Sequence, residues 1–191
     1  MMSKIKYSII IPTLNGYEGL KVIIPYILKI DRQDIEIILS INNSIDKSLE
    51  FVKSINDKRL KFFIPSKKLP HSTNLNFAYS KSSGEWLGHL GDDDLILNNR
   101  FDTLDKYTDN FDMIVGKSAH YNWKNLDPAL GVPNSTKKND LIYTQVAVEK
   151  SGVEFYKEYL NTFGVPAGGQ WLVKKEVYEK VKKTFGFFSP D

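Results

Sequence analysis

Glu85-Trp86-Leu87-Gly88-His89-Leu90-Gly91-Asp92-Asp93-Asp94 is the stretch on which the reading of this chain turns. Glu85 to Leu90 reads as a β-strand, and Asp92, Asp93 and Asp94 put three consecutive carboxylates into the loop that follows. Adjacent carboxylates repel one another, and at a strand end they are costly unless a cation neutralises them. Hard oxygen ligands suit Mg²⁺ or Mn²⁺, ions that keep waters and bridge to phosphates. The run therefore reads as a metal-diphosphate site. The plainer alternative is a solvated acidic turn, with Asp94 or Asn98 capping the next helix.

Upstream, Ile5 to Ile11 is a β-rich run stopped by Pro12, with Asn15-Gly16 as a turn signal. Leu20, Ile23, Ile24, Ile27 and Leu28 recur at helical spacing, and Pro25 is expected to interrupt or kink that helix. Ile35 to Ile41 is nearly all apolar, as in a strand covered on both faces. Asn42-Asn43-Ser44 breaks it. Leu49, Val52 and Ile55 form the next helical stripe, and Leu60 to Ile64 is a third strand ended by Pro65. Ser72 to Lys81 reads as a helix with Leu75, Ala78 and Tyr79 inward, closed by Ser83-Gly84. Beyond the acidic run, Arg100 to Tyr107 is a helix and Met113 to Val115 a fifth strand. The alternation predicts a single α/β domain, a mostly parallel sheet with helices on both faces.

The character changes after Gly116. Lys117 to Asp140 is rich in Asn, Lys, Pro and Gly, and a long loop of this kind in a compact domain is often functional. Val146 to Leu160 reads as a helix with Phe155, Tyr156 and Tyr159 packing, and Glu176 to Lys183 as a short basic helix. The chain thus divides into 1–116 and 117–191, two halves of one domain.

At 191 residues the chain suffices for one full core. It has no apolar run of membrane-spanning length and shows no secretory signal. Without cysteine it has neither disulfides nor thiolate sites, which suits a cytoplasmic protein. His71, His89 and His120 are too scattered for a zinc cluster. The net charge of +3 is spread over lysine pairs at 67 and 68, 137 and 138, 174 and 175, and 182 and 183. Without a nucleic-acid motif these pairs read as solvated surface, the alternative being attraction to an anionic sugar donor or to lipid headgroups.

In open α/β sheets, ligands sit outside the carboxyl ends of the strands. Three polar loops fall there: Pro12-Thr13-Leu14-Asn15, Asn42-Asn43-Ser44-Ile45-Asp46, and Asp92-Asp93-Asp94. The first two suit a nucleoside held by backbone and amide groups, and the third its diphosphate through a metal. No glycine-rich dinucleotide fingerprint or P-loop is present. A phosphate site without a glycine cradle needs another counter-charge, which a divalent ion supplies.

With these residues in place the chain resembles the family 2 glycosyltransferases of GT-A fold. The matching stretches are Tyr7-Ser-Ile-Ile-Ile-Pro-Thr-Leu-Asn15, Glu36-Ile-Ile-Leu-Ser40, Ser83-Gly-Glu-Trp86 and Leu90-Gly-Asp-Asp-Asp94, with Asn76 at matching spacing upstream. The resemblance covers most of residues 5 to 110. It implies a Rossmann-like GT-A sheet, a nucleotide-sugar donor (UDP-sugar favoured), Mn²⁺ or Mg²⁺, and inversion at the anomeric carbon. Residues 1–116 would be the donor-binding half and 117–191 the acceptor side. By position, Pro12, Thr13 and Leu14 would line the base, Asn42 and Ser44 would lie by base and ribose, and Asp92 would approach the ribose. Asp93 would hold the metal, with Asp94 as a further ligand. Two departures stand out. Ile41-Asn42 stands where the family commonly has Asp-Asp or Asp-Asn after strand two, and Leu69-Pro70-His71 stands where a basic residue is common.

An inverting transfer needs a carboxylate to take the acceptor proton. Phe187-Phe188-Ser189-Pro190-Asp191 resembles the family's late acidic motif, making Asp191 the expected base. A base at the last residue would fray, so either the natural chain continues beyond it, the favoured expectation, or Asp191 is not the base. Tyr121, Trp123, Gly168, Gly169, Gln170 and Trp171 are candidates for a glycan or lipid-linked acceptor, with Trp171 equally readable as core. The expected setting is cytoplasmic, with peripheral contact at the inner face of the membrane as a further expectation. A nucleotidyltransferase of related topology, a non-catalytic nucleotide-sugar-binding module and a plain interaction domain remain the alternatives.

Overall fold

The computed structural model describes residues 4–97, 99–115 and 171–185. In chain order they form β1 (Tyr7–Thr13), α1 (Tyr17–Leu28), β2 (Ile35–Ile41), α2 (Ser48–Lys53), β3 (Leu60–Phe63), α3 (His71–Tyr79), β4 (Trp86–His89), α4 (Arg100–Asp105), β5 (Met113–Val115), β6 (Trp171–Lys174) and α5 (Lys175–Phe185). The sheet order is β3-β2-β1-β4-β6-β5. β3, β2, β1 and β4 run parallel, whereas β6 is antiparallel to both β4 and β5.

Every residue of β1 and β2 is buried, because helices cover both faces of the sheet. Ile9, Ile11, Ile37 and Leu39 join Leu20, Ile23, Ile24 and Ile27 of α1, Val52 of α2 and Phe101 and Leu104 of α4 in one core. The alternate residues Ile10 and Ile38, with Leu87, pack with Ala78 and Tyr79 of α3 and Tyr178 of α5. Period-two alternation along the strands thus sends successive side chains into two cores. Burying each of these isoleucines contributes roughly 1.5–3 kcal/mol.

Two expectations needed correction. Pro25 does not interrupt α1, which runs through it to Leu28. Pro25 and Lys21, the residue whose carbonyl loses its helix bond, both lie on the exposed face of α1, where water can substitute for that bond. β6 was not anticipated. Its four residues run directly into α5 with no Gly or Pro between them, so the sequence carries no punctuation there. Its pairing partner is also remote, with Trp86 opposite Lys174.

The end of the sheet opposite the strand carboxyl ends is held by a buried carboxylate. Glu36, 1% exposed, accepts hydrogen bonds from Ser8 Oγ at 2.6 Å, from the Ser83 N–H at 2.5 Å and the Ser83 hydroxyl at 2.9 Å, and from the Gly84 N–H at 3.1 Å. Lys61 Nζ adds an ion pair at 2.7 Å. Burial works against ionisation, but these donors outweigh it and hold the Glu36 carboxyl below the usual carboxylate range. A Cβ at Gly84 would stand 2.6 Å from Ser8 Oγ, which is the physical reason for glycine in Ser83-Gly84-Glu85.

Candidate functional site

The candidate site lies at the carboxyl ends of the parallel strands. Thr13 pairs with Ile41, so the loops after β1 and β2 leave the sheet side by side, and they are stitched together. The Asn42 N–H donates to the Thr13 carbonyl at 2.9 Å. The Asn15 N–H donates to Ser44 Oγ at 2.9 Å, and the Ile45 N–H to Asn15 Oδ1 at 2.9 Å. Asn15 and Asn43 hold positive φ angles of 57° and 54°, a conformation asparagine tolerates better than most residues. Asp46 accepts from the Tyr17 N–H at 2.9 Å and the Ser48 N–H at 3.0 Å. It thereby satisfies an orphan donor at the start of α1 from the neighbouring loop.

Between these loops and α3 lies a cleft of about 300 Å³, open to solvent and lined by Pro12, Thr13, Leu14, Asn42, Leu69, His71 and Asn74. Leu14 remains 41% exposed, an apolar wall available to a flat ligand. The Asn42 carboxamide is already engaged: Nδ2 donates to the Leu69 carbonyl and Oδ1 accepts the Leu69 N–H, both at 2.8 Å. A carboxylate there could only accept, so the amide of Asn42 lets this position clamp the loop before α3 on both sides. Ser44 is not among the cleft-lining residues; its hydroxyl oxygen accepts from the Asn15 N–H.

The acidic loop docks against the first turn of α1. The Leu90 N–H donates to the Ile10 carbonyl at 2.9 Å, prolonging the β1–β4 pairing to the brink of the loop. Thr13 Oγ1 donates to Asp92 Oδ2 at 2.5 Å. A Cβ at Gly16 would stand 2.1 Å from Asp92 Oδ2, and one at Gly19 would stand 2.0 Å from the Asp92 carbonyl oxygen. These two glycines admit the loop to the helix. Burial raises the Asp92 carboxyl above its ordinary range; the Thr13 bond opposes this, and the charges of Asp93 and Asp94 add to it.

Asp93 and Asp94 are exposed. The Asp94 N–H donates to the Gly91 carbonyl at 3.2 Å, and the Gly91 N–H donates to Asp94 Oδ2, also at 3.2 Å. A Cβ at Gly91 would lie 2.8 Å from Asp94 Oδ2 and 2.9 Å from Asp93 Oδ1. Gly91 therefore leaves the space over which both carboxylates gather, and these are the side chains available here to a hard cation. Among the described residues, no group of three or more His, Cys, Asp or Glu side chains gathers to hold a metal. His89, just before the loop, has its ring 6.3 Å from that of His71. Burial, aided by the charge of His71, pushes it down to about 4, so it is neutral near pH 7.

The structure thus brings Pro12, Thr13, Leu14, Asn42 and the three aspartates to one end of the sheet. Sequence reading did not find Gly19, Asn74 or the Asn42 clamp. Trp171 stands in β6 with its ring stacked 6.1 Å from Tyr79, against the second core. Asp191, Tyr121, Trp123, Gly168, Gly169 and Gln170, the loop 117–140 and the helix expected at 146–160 lie outside the described residues. No helix among the described residues is long and apolar enough to cross a membrane.

Residues 8–181 match the model of glycosyl transferase family 2, and the chain belongs to that family. It is 28% identical over 158 residues to the GalNAc(5)-diNAcBac-PP-undecaprenol beta-1,3-glucosyltransferase of Campylobacter jejuni, an alignment covering 81% of this chain and 51% of that protein. The chain therefore spans about half the length of that curated relative. S. aureus TarS in complex with UDP-GlcNAc superimposes with a TM-score of 0.65 at 20% identity, over 92% of this chain and 48% of that one. The mannosyltransferase PcManGT of Pyrobaculum calidifontis, in complex with GDP-Man and Mn²⁺, gives 0.60 at 14%, over 92% and 46%. The fold is the GT-A fold.

Proposed function

We propose that this chain, donor-binding over 1–116 and acceptor-facing over 117–191, belongs to a glycosyltransferase that moves a sugar from a nucleoside-diphosphate donor, UDP-sugar favoured, to a glycan or lipid-linked acceptor with inversion. One observation carries the reading: the cleft of Pro12, Thr13, Leu14 and Asn42 and the acidic loop of Asp92, Asp93 and Asp94 lie at one end of the sheet. Pro12 and Leu14 wall the base. Asp92, oriented by Thr13, faces the ribose, and Asn42 and Ser44 lie by base and ribose.

Asp93 and Asp94 would hold Mn²⁺ or Mg²⁺, and Gly91, where a Cβ would fill the space between their oxygens, fits them for it. When bound, such an ion neutralises charge developing on the leaving diphosphate. Asp191 is assigned the acceptor proton. The lipid-linked substrate in the name of the Campylobacter jejuni relative supports the acceptor class.

The test is release of UDP from UDP-sugars in the presence of Mn²⁺. Turnover that falls about a hundredfold or more in Asp93→Asn, and that Asp191→Asn abolishes while UDP still binds, is the expected result. A folded protein that binds UDP without turnover under any acceptor would instead be a nucleotide-sugar-binding module.

A further inference from the structure

Two of the polar side chains lining the cleft are committed to protein partners. Thr13 Oγ1 donates to Asp92, and the Asn42 carboxamide is bound on both sides by the backbone of Leu69. His71 stands exposed at the rim as the first residue of α3. The remaining one is Asn74. It lines the cleft yet is only 2% exposed. Its carboxamide is oriented from beneath, since Ser40 Oγ donates to Asn74 Oδ1 at 2.6 Å and Ser40 is itself fully buried. This leaves the NH₂ group, Nδ2, with no acceptor among the described residues. A donor on a cleft-lining side chain that the protein leaves without an acceptor is open to an acceptor on a ligand.

We propose that Asn74 Nδ2 donates to the exocyclic keto oxygen of the donor's base. The cleft then selects keto bases, uracil or guanine, against amino bases, cytosine or adenine. This rests on the nucleoside-diphosphate reading above. The chemistry follows from hydrogen-bond complementarity. Position 4 of uracil and position 6 of guanine present an acceptor. The same positions of cytosine and adenine present an NH₂, which would meet the Asn74 NH₂ donor to donor. Sites built to hydrogen-bond one group reject an analogue that leaves their buried polar atoms unpaired.

The test is calorimetric titration of the full chain, with Mn²⁺, by UDP and by CDP, for wild type, Asn74→Ala and Asn74→Asp, each checked for folding by its melting curve. Wild type should bind UDP about tenfold or more tightly than CDP. Asn74→Ala should lose that margin, chiefly by weakening UDP. Asn74→Asp keeps the acceptor for Ser40 while replacing the NH₂ by an acceptor oxygen, and should reverse the order; being nearly isosteric, it carries the test if the alanine variant does not fold. An equal loss of UDP and CDP affinity, as a merely structural role would give, overturns the proposal, and so does an unchanged ratio. A folded wild type that binds no nucleoside diphosphate overturns the donor-site reading itself, and the proposal with it.

Discussion

Asp92 is held by opposing influences. Its carboxylate takes a hydrogen bond from Thr13 but is partly desolvated and has Asp93 and Asp94 beside it. Its pKa is raised in the folded state, so between the unfolded value and the folded one the native protein binds the extra proton. Stability therefore falls as pH rises through that window. Asp92→Asn removes this penalty. It should raise the melting temperature of the ligand-free protein at neutral pH relative to wild type, with the difference vanishing at low pH, while weakening UDP binding. A melting series across pH checks it. The acidic run was legible because three adjacent carboxylates are unusual by themselves. Asn74 was not, since an asparagine inside a helix shows its purpose only when Ser40, far away in sequence, is placed beneath it. The Asn42 clamp was hidden for the same reason, its partner being Leu69.

At the scale of elements, the site depends on how closely the acidic loop approaches α1. Glycine in a helix ordinarily costs up to about 1 kcal/mol relative to alanine, so Gly19→Ala would stabilise a free-standing α1. Here the added Cβ would meet the Asp92 carbonyl oxygen at 2.0 Å, and backbone cannot rotate away. Gly19→Ala should therefore destabilise the protein by roughly 1–3 kcal/mol and displace the loop, with loss of metal-dependent nucleotide binding. Denaturant unfolding and a UDP titration check both effects. Strand and helix order through β5 was readable because apolar runs alternate in period and are punctuated by Pro, Asn and Gly. β6 escaped because Trp171–Lys174 has neither punctuation nor a neighbour in sequence to pair with.

Over the whole molecule, two polar knots at the amino ends of the strands hold the sheet that carries the site. Glu36 ties β1, β2 and β3 to the turn before β4. Glu36→Gln would set an NH₂ group among the donors of Ser8, Ser83 and Gly84 and leave Lys61 unpaired, at a cost of about 3 kcal/mol or more, measurable by chemical denaturation. In the second knot Asp105 accepts from Tyr7 Oη, Lys6 Nζ and Arg32, each at 2.7 Å. Burial opposes its ionisation, but these donors bring its carboxyl down to about 2 from 3.8. A lowered carboxylate adds stability above its unfolded pKa and loses it as pH falls through the folded one. Acid unfolding should thus draw on this knot between about pH 4 and about pH 2, and Asp105→Asn should flatten stability over that range. Glu36 read in the sequence as one polar residue in an apolar strand, because its donors come from three other segments.

The central claim is that the cleft and the acidic loop together hold a nucleoside diphosphate through a divalent ion. Titrating UDP into the folded chain by calorimetry, with and without Mn²⁺, tests it most directly. Binding that requires the metal, and that is lost in Asp93→Asn, is the predicted result. Binding indifferent to Mn²⁺, or none from a folded sample, would contradict it.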